Sequence, residues 1–275
     1  MRKFCRITNA IALCLLVFLL CLTFFGCQSN IEANRRRNVN SVNHRGYNDA
    51  PENTLAAFRL SKEMGFDMVE CDVRFTKDGK PVLLHDATVN RTSNGKGKIA
   101  ELTFDEVRKM DFGSWKGEQY VGEQIPSFEE FISLCVELEL YPYVEIKNGT
   151  TLQQTQLLVD VVNKTELSVT WIGRDENLLA FVAQLRSGQD RVGLITEVVT
   201  YDKLKFLAGL TDYVDVFVDC NYLTLTKTFV NRCKIYGIPL EVWTVNAEHT
   251  VKNNDPYVTG VTSDSIIAQD VFNTM

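Results

Sequence analysis

The sequence predicts an α/β fold, a (β/α)8 barrel with a small insertion after a hairpin on its second strand. Three observations carry that prediction. Short, β-branched apolar runs alternate with longer amphipathic stretches, the pattern of parallel strands joined by helices. The runs reduce to eight once one is set aside on physical grounds. A length of 275 residues accommodates a single barrel of ordinary size.

The candidate strands are 39–44, 68–73, 81–85, 141–146, 168–172, 191–195, 214–218, 239–245 and 257–262. Parallel neighbours need a crossover of about a dozen residues or more. Only Arg74–Lys80 separates the second run from the third, and Lys77-Asp78-Gly79-Lys80 is a turn signal. Those two runs therefore pair as an antiparallel hairpin, and 81–85 is an excursion above the barrel. Helical spacing of apolar residues marks Thr54–Met64, Phe128–Glu139, Asn177–Arg186 and Thr226–Tyr236, with Asn53 or Thr54 able to cap the first. Residues 87–125 break the alternation. They are rich in Gly, Lys, Thr and Asn, with one short helix signal at Thr103–Met110. A long insertion on one loop suits a lid or a substrate collar.

The N-terminus has a different character. Arg2, Lys3 and Arg6 precede a nearly continuous apolar run from Ile7 to Phe25, so residues 1–26 read as a signal peptide. The run ends in Gly26-Cys27 followed by polar residues, as in lipoproteins whose cysteine is acylated. An uncleaved anchor helix or ordinary secretion are the alternatives. All three export the remaining chain, a polar linker at 27–38 and one domain at 39–275. The lipoprotein reading tethers that domain to a membrane, facing the periplasm or the cell exterior. Residues 1–26 hold three of the 29 Lys+Arg and none of the 35 Asp+Glu. Residues 27–275 therefore carry 26 against 35, a net of −9. That balance argues against nucleic acid as a partner, which needs a basic footprint. Arg35-Arg36-Arg37 is a solvated linker face before it is a headgroup contact. Cys71, Cys135, Cys220 and Cys233 match no zinc spacing and sit in apolar runs, so they read as buried free thiols.

Active sites of α/β barrels gather at the carboxyl ends of the strands. Those ends carry His44-Arg45-Gly46, Glu70-Cys71-Asp72, His85-Asp86, Glu145-Ile146-Lys147 and Trp243-Thr244-Val245-Asn246. Glu70 and Asp72 are two apart and share one face of their strand. Two carboxylates on one face need a cation or a partner, and Glu145 can supply a third. Oxygen-only ligation suits a hard ion: Ca2+, Mg2+ or Mn2+. The bland alternative is a solvated pair at a strand edge, which the apolar flanks Met68, Val69 and Val73 weaken. Of three histidines, His44 and His85 fall at strand mouths and His249 in a polar loop. The first two can serve as base and acid. Arg45 and Lys147 suit a phosphate, the first as a fork and the second as a point charge. Trp243 is either core or a wall for an apolar substrate face.

The segments His44-Arg45-Gly46, Pro51-Glu52-Asn53-Thr54-Leu55, Glu70-Cys71-Asp72-Val73, Thr76-Lys77-Asp78-Gly79, His85-Asp86, Glu145-Ile146-Lys147 and Val242-Trp243-Thr244-Val245-Asn246 together resemble the glycerophosphodiester phosphodiesterase family. The insertion is similar too, with Arg91-Thr92-Ser93-Asn94-Gly95 and Gly122–Pro126 before Phe128-Glu129-Glu130. The resemblance covers about residues 39–265. It implies a TIM-barrel fold and metal-dependent hydrolysis of small glycerophosphodiesters to glycerol 3-phosphate and an alcohol. It further implies that Glu70, Asp72 and Glu145 hold a divalent ion, that His44 and His85 form the acid/base pair, and that Arg45 and Lys147 bind phosphate. Glu52 would sit in the same site as ligand support or histidine orienter.

The chain departs from the family pattern at Tyr47-Asn48-Asp49-Ala50, at Trp171-Ile172-Gly173-Arg174 where Ser-Phe is common, and at Val261-Thr262-Ser263-Asp264 where Ile-Thr-Asp is common. These positions bear on substrate choice. Two other functions stay open: a lysophospholipase D or sphingomyelinase-type activity, with Phe104, Phe112, Trp115 and Tyr120 meeting lipid, and a non-catalytic surface binding protein.

Overall fold

The computed structural model describes residues 39–246 and 257–265. The predicted signal peptide 1–26, the predicted linker 27–38 and His249 lie outside them. Nine strands form one sheet: β1 (Asn40–His44), β2 (Met68–Phe75), β3 (Pro81–Leu83), β4 (Tyr141–Ile146), β5 (Thr170–Gly173), β6 (Arg191–Ile195), β7 (Asp215–Asn221), β8 (Leu240–Trp243) and β9 (Val258–Ser263). Eight run parallel, and β1 pairs with both β9 and β2, which closes the barrel. β3 lies antiparallel on β2, from Val73–Leu83 to Phe75–Pro81. The short connection Thr76–Lys80 permits nothing else. The fold is the predicted barrel, with the hairpin and insertion where the turn signals place them.

Seven helices accompany the described strands: α1 (Leu55–Glu63), α2 (Phe104–Val107), α3 (Phe128–Leu138), α4 (Leu152–Val162), α5 (Glu176–Leu185), α6 (Tyr201–Leu210) and α7 (Lys227–Tyr236). All but α2 are crossovers, and each begins at a Thr, Ser or Asp whose side chain accepts from the first turn. Helical spacing alone does not single out α4 and α6. Leu152–Val162 is crowded with Gln and β-branched residues, and α6 contains Gly209, so both rest on tertiary burial more than on propensity.

β7 runs three residues beyond its predicted end. Its ladder continues to Asp219 against β6 and to Asn221 against β8. That extension brings Asp219 into the barrel mouth.

Two apolar layers hold the structure. Outward-facing strand residues such as Val69, Cys71, Val144, Trp171 and Val218 pack against the helices in one large cluster. Inside the barrel sit Val42, Tyr143, Ile172, Ile195 and Phe217. Gly193 leaves the space that the Phe217 ring occupies. Arg191 closes the floor, 2.8 Å from both the Tyr143 hydroxyl and Glu241. The insertion packs on its own small core of Val82, Leu84, Val89, Ile99, Val107, Phe112 and Ile125. Phe112 is therefore buried in the insertion and offers nothing to lipid, whereas Trp115 is exposed. The four cysteines of the domain are buried and free. Among the described residues no helix is long and apolar enough to cross a membrane.

Candidate active site

The site begins where β1 turns into α1. Gly46 has φ of +81°, and a Cβ there would lie 2.6 Å from the Ala57 Cβ, so only glycine fits. Arg45 is also left-handed, with φ of 56°. A non-glycine residue holds that conformation only when its surroundings over-determine it. Here the Arg45 N–H donates to Glu70 at 3.0 Å, and the Asn53 N–H donates to the Arg45 carbonyl at 2.8 Å.

Alternation along β2 sends Val69, Cys71 and Val73 outward to the helices and Glu70 and Asp72 inward. Strand register then sets His44 beside Glu70 and Asp72 beside Glu145. Glu70, Asp72 and Glu145 each offer an oxygen within 4.8 Å of the others. Lys147 bridges two of them, 2.5 Å from Asp72 and 2.6 Å from Glu145. Arg45 Nε lies 3.1 Å from Asp72, and the Asn53 amide donates to Asp72 at 2.7 Å.

These charges sort the protonation states. Burial drives Glu70 well above the usual carboxylate range, and the charges of Asp72 and Glu145 push it the same way. Burial acts likewise on Asp72, but Lys147 and Arg45 outweigh it and hold Asp72 below its ordinary value. Burial lowers Lys147, yet Asp72, Glu145 and Glu70 more than compensate and keep it a cation. Three carboxylates thus face two cations, Lys147 and Arg45. The all-oxygen donor set and the uncompensated Glu70 fit a hard divalent ion.

Each histidine has its own carboxylate. His44 Nδ1 lies 2.7 Å from Asp264, whose other oxygen accepts from Asn246 at 3.0 Å. His85 sits just past β3, on the excursion and not on a barrel strand, with Nδ1 2.8 Å from Asp86. Asp86 is gripped by Arg91 at 2.8 and 3.0 Å. Arg91 also forks onto Glu52 at 2.6 and 2.8 Å, and Glu52 accepts from Arg45 at 3.1 Å. Glu52 accordingly touches neither histidine. It couples Arg45 to Arg91, the residue that holds Asp86. The Arg91 hydrogen bonds hold Asp86 well below its ordinary range; burial would raise Glu52, but Arg91 and Arg45 outweigh it and lower that carboxyl.

A pocket of about 230 Å3 opens over this network. His44, Arg45, Glu70, His85, Glu145, Lys147 and Trp243 line it, while Glu52 and the fully buried Asp72 are not part of its lining. Such a cavity can take a small phosphodiester, with cations for the phosphoryl oxygens and oriented imidazoles for proton transfer. Asp264, Asp86 and Arg91 are functional neighbours that residue-type reasoning does not reach. Asp86 stands beside His85 in the strand-end list without a role, and Asp264 directly follows β9, so the strand-end rule reaches both.

The sequence profile of the glycerophosphoryl diester phosphodiesterase family matches residues 44–268. Bacillus subtilis YhdW is 30% identical over 220 residues, 76% of this chain and 87% of YhdW. A glycerophosphodiester phosphodiesterase of Caldanaerobacter subterraneus is 43% identical over 112 residues, which is 40% of this chain and 46% of that one. In three dimensions the chain is similar to an Oleispira antarctica phosphodiesterase solved with its product sn-glycerol-3-phosphate. The TM-score is 0.75 at 25% identity, covering 84% of this chain and 94% of the other.

Proposed function

The chain belongs to the glycerophosphoryl diester phosphodiesterase family and is a phosphoric diester hydrolase, and from that premise we propose how its own residues work. It hydrolyses a glycerophosphodiester to glycerol 3-phosphate and an alcohol, with His44 and His85 as the acid/base pair. One observation carries this reading. Two imidazoles, each held by its own carboxylate, open on the same pocket as the Glu70, Asp72 and Glu145 cluster.

Glu70, Asp72 and Glu145 would hold a divalent ion, Ca2+ or Mg2+ before Mn2+, which when bound supplies positive charge to a phosphoryl oxygen and to the attacking oxygen. Arg45 and Lys147 orient the phosphate and neutralise charge that grows in the transition state. One histidine accepts the proton of the nucleophile through Nε2, and the other protonates the departing alkoxide. Asp264 and Asp86 each fix a ring by its Nδ1, leaving Nε2 for the reacting groups.

His44→Ala and His85→Ala should each lower kcat by about 10²–10⁴, the usual contribution of general acid–base catalysis. Thermal unfolding should stay near wild type. Near-normal glycerophosphocholine hydrolysis by both variants would remove the histidines from the chemistry. The composition of residues 1–26 supports export with a lipid tether on Cys27. Loss of fatty-acid labelling in Cys27→Ser is the expected result, and undiminished labelling would exclude it.

A further inference from the structure

We infer that Asp219 and the indole N–H of Trp243 form a hydroxyl-recognition subsite that holds the glycerol of the substrate beside the phosphate. The inference rests on the hydrolase reading above and adds a specificity determinant to it. Asp219 is only 4% exposed, and its Oδ1 has no hydrogen-bond partner. Trp243 Nε1 is likewise buried and unpartnered. Both residues line the same pocket, together with Ile172 and Ile195. They stand on neighbouring strands, since Trp243 pairs with Asn221, two residues from Asp219.

Other buried carboxylates of this chain show what satisfaction looks like. Asp190 accepts from Trp171 Nε1 at 2.7 Å and from Arg186 at 2.8 Å. Glu241 accepts from Arg191 at 2.8 Å. Arg174, the pocket's cation on that side, is already committed to Glu197 at 2.7 and 2.8 Å. Buried polar atoms are almost always paired, so two orphans on residues that line one cavity call for a ligand that the side chains turn to meet.

The two orphans differ in sense, and that selects the chemistry. An indole N–H only donates, whereas a carboxyl accepts through at least one oxygen in either protonation state. An alcohol serves both, its oxygen accepting from Trp243 while its O–H donates to Asp219. A quaternary ammonium offers the indole no acceptor. Burial, with Glu241 and Glu145, pushes Asp219 toward its neutral acid, a form that still bonds a hydroxyl but has lost the charge an ammonium would seek.

The test is calorimetric binding, in buffer containing Ca2+, of glycerol 3-phosphate against propyl phosphate, which keeps the phosphate and the carbon chain without hydroxyls. Wild type should prefer glycerol 3-phosphate by about tenfold or more. Asp219→Leu should bring the ratio near one, Asp219→Asn should keep part of it, and Trp243→Phe should lower it. Equal affinities in wild type, no binding of either ligand, or an intact ratio in both Asp219→Leu and Trp243→Phe overturns the subsite. An intact preference in a protein that hydrolyses no glycerophosphodiester overturns the hydrolase reading and leaves the subsite standing.

Discussion

His44 and Asp264 are joined Nδ1 to Oδ1 at 2.7 Å across 220 residues of sequence. Burial alone would raise Asp264, but the His44 hydrogen bond and charge hold it below its ordinary value, so it stays an anion that accepts the ring proton. A ring fixed in this way presents Nε2 in one tautomer. Asp264→Asn should therefore lower kcat by about 10–100-fold with a smaller change in KM, the pattern of a lost transition-state interaction. Steady-state kinetics with glycerophosphocholine decide the point. A kcat within twofold of wild type would reduce Asp264 to a structural contact.

Arg91 holds Asp86 and Glu52 at once and lowers both. A carboxyl whose folded value lies below its unfolded one stabilises the fold above the unfolded value, about 3.9 for Asp and 4.3 for Glu. That stabilisation is lost as pH falls through the folded value. Arg91→Ala should thus melt lower than wild type at pH 7, with the gap narrowing below about pH 4. Melting curves from pH 3 to 7 test this, and a gap that widens in acid would show that Arg91 acts through packing instead. Activity should fall as well, because Arg45 and Asp86 lose their common anchor.

Gly46 shows how tightly the first strand end is specified. An alanine there suffers the left-handed φ and a 2.6 Å approach to Ala57 Cβ. Gly46→Ala should cost about 2–4 kcal/mol in urea unfolding, combining strain with overpacking. Adding Ala57→Gly should recover only part of the overpacking, because the new Cβ also lies 2.8 Å from the Ala57 carbonyl carbon, and that part is read as the coupling in the double-mutant cycle. Additive losses would mean the two residues do not meet.

Much of the barrel and of its carboxylate face is legible in the sequence. Parity along Glu70-Cys71-Asp72 puts two carboxylates on one face, and the shortness of Thr76–Lys80 forces the hairpin that carries His85 past the barrel rim. Both are local rules of spacing. The features that escape them are long-range. Nothing near Asp264 announces a histidine 220 residues earlier, and Arg91 meets Glu52 only because the insertion folds back onto the β1–α1 loop. Asp219 is the instructive miss. It adjoins the apolar run Val216-Phe217-Val218, the kind of context that makes Glu70 and Asp72 conspicuous, but the predicted strand ends one residue short of it. α4 and α6 escape because their residues favour helix weakly and burial makes the difference.

Removal of the metal is the sharpest remaining test, because it separates charge relief from catalysis. Exhaustive chelation should silence hydrolysis, and Ca2+ or Mg2+ should restore it. An ion at a hundred times its Kd adds about 2.7 kcal/mol to the folded state. For a barrel of this size that corresponds to a rise in Tm of roughly 5–10 °C. Glu70→Gln should reverse the pattern. Its neutral amide relieves the crowding that burial, Asp72 and Glu145 impose on Glu70, so the ion-free variant should melt at or above ion-free wild type. It should gain little from added ion and should not regain activity. If Glu70→Gln instead melts lower without ion yet responds to ion as wild type does, Glu70 is a structural acceptor for the Arg45 N–H and the metal lies elsewhere.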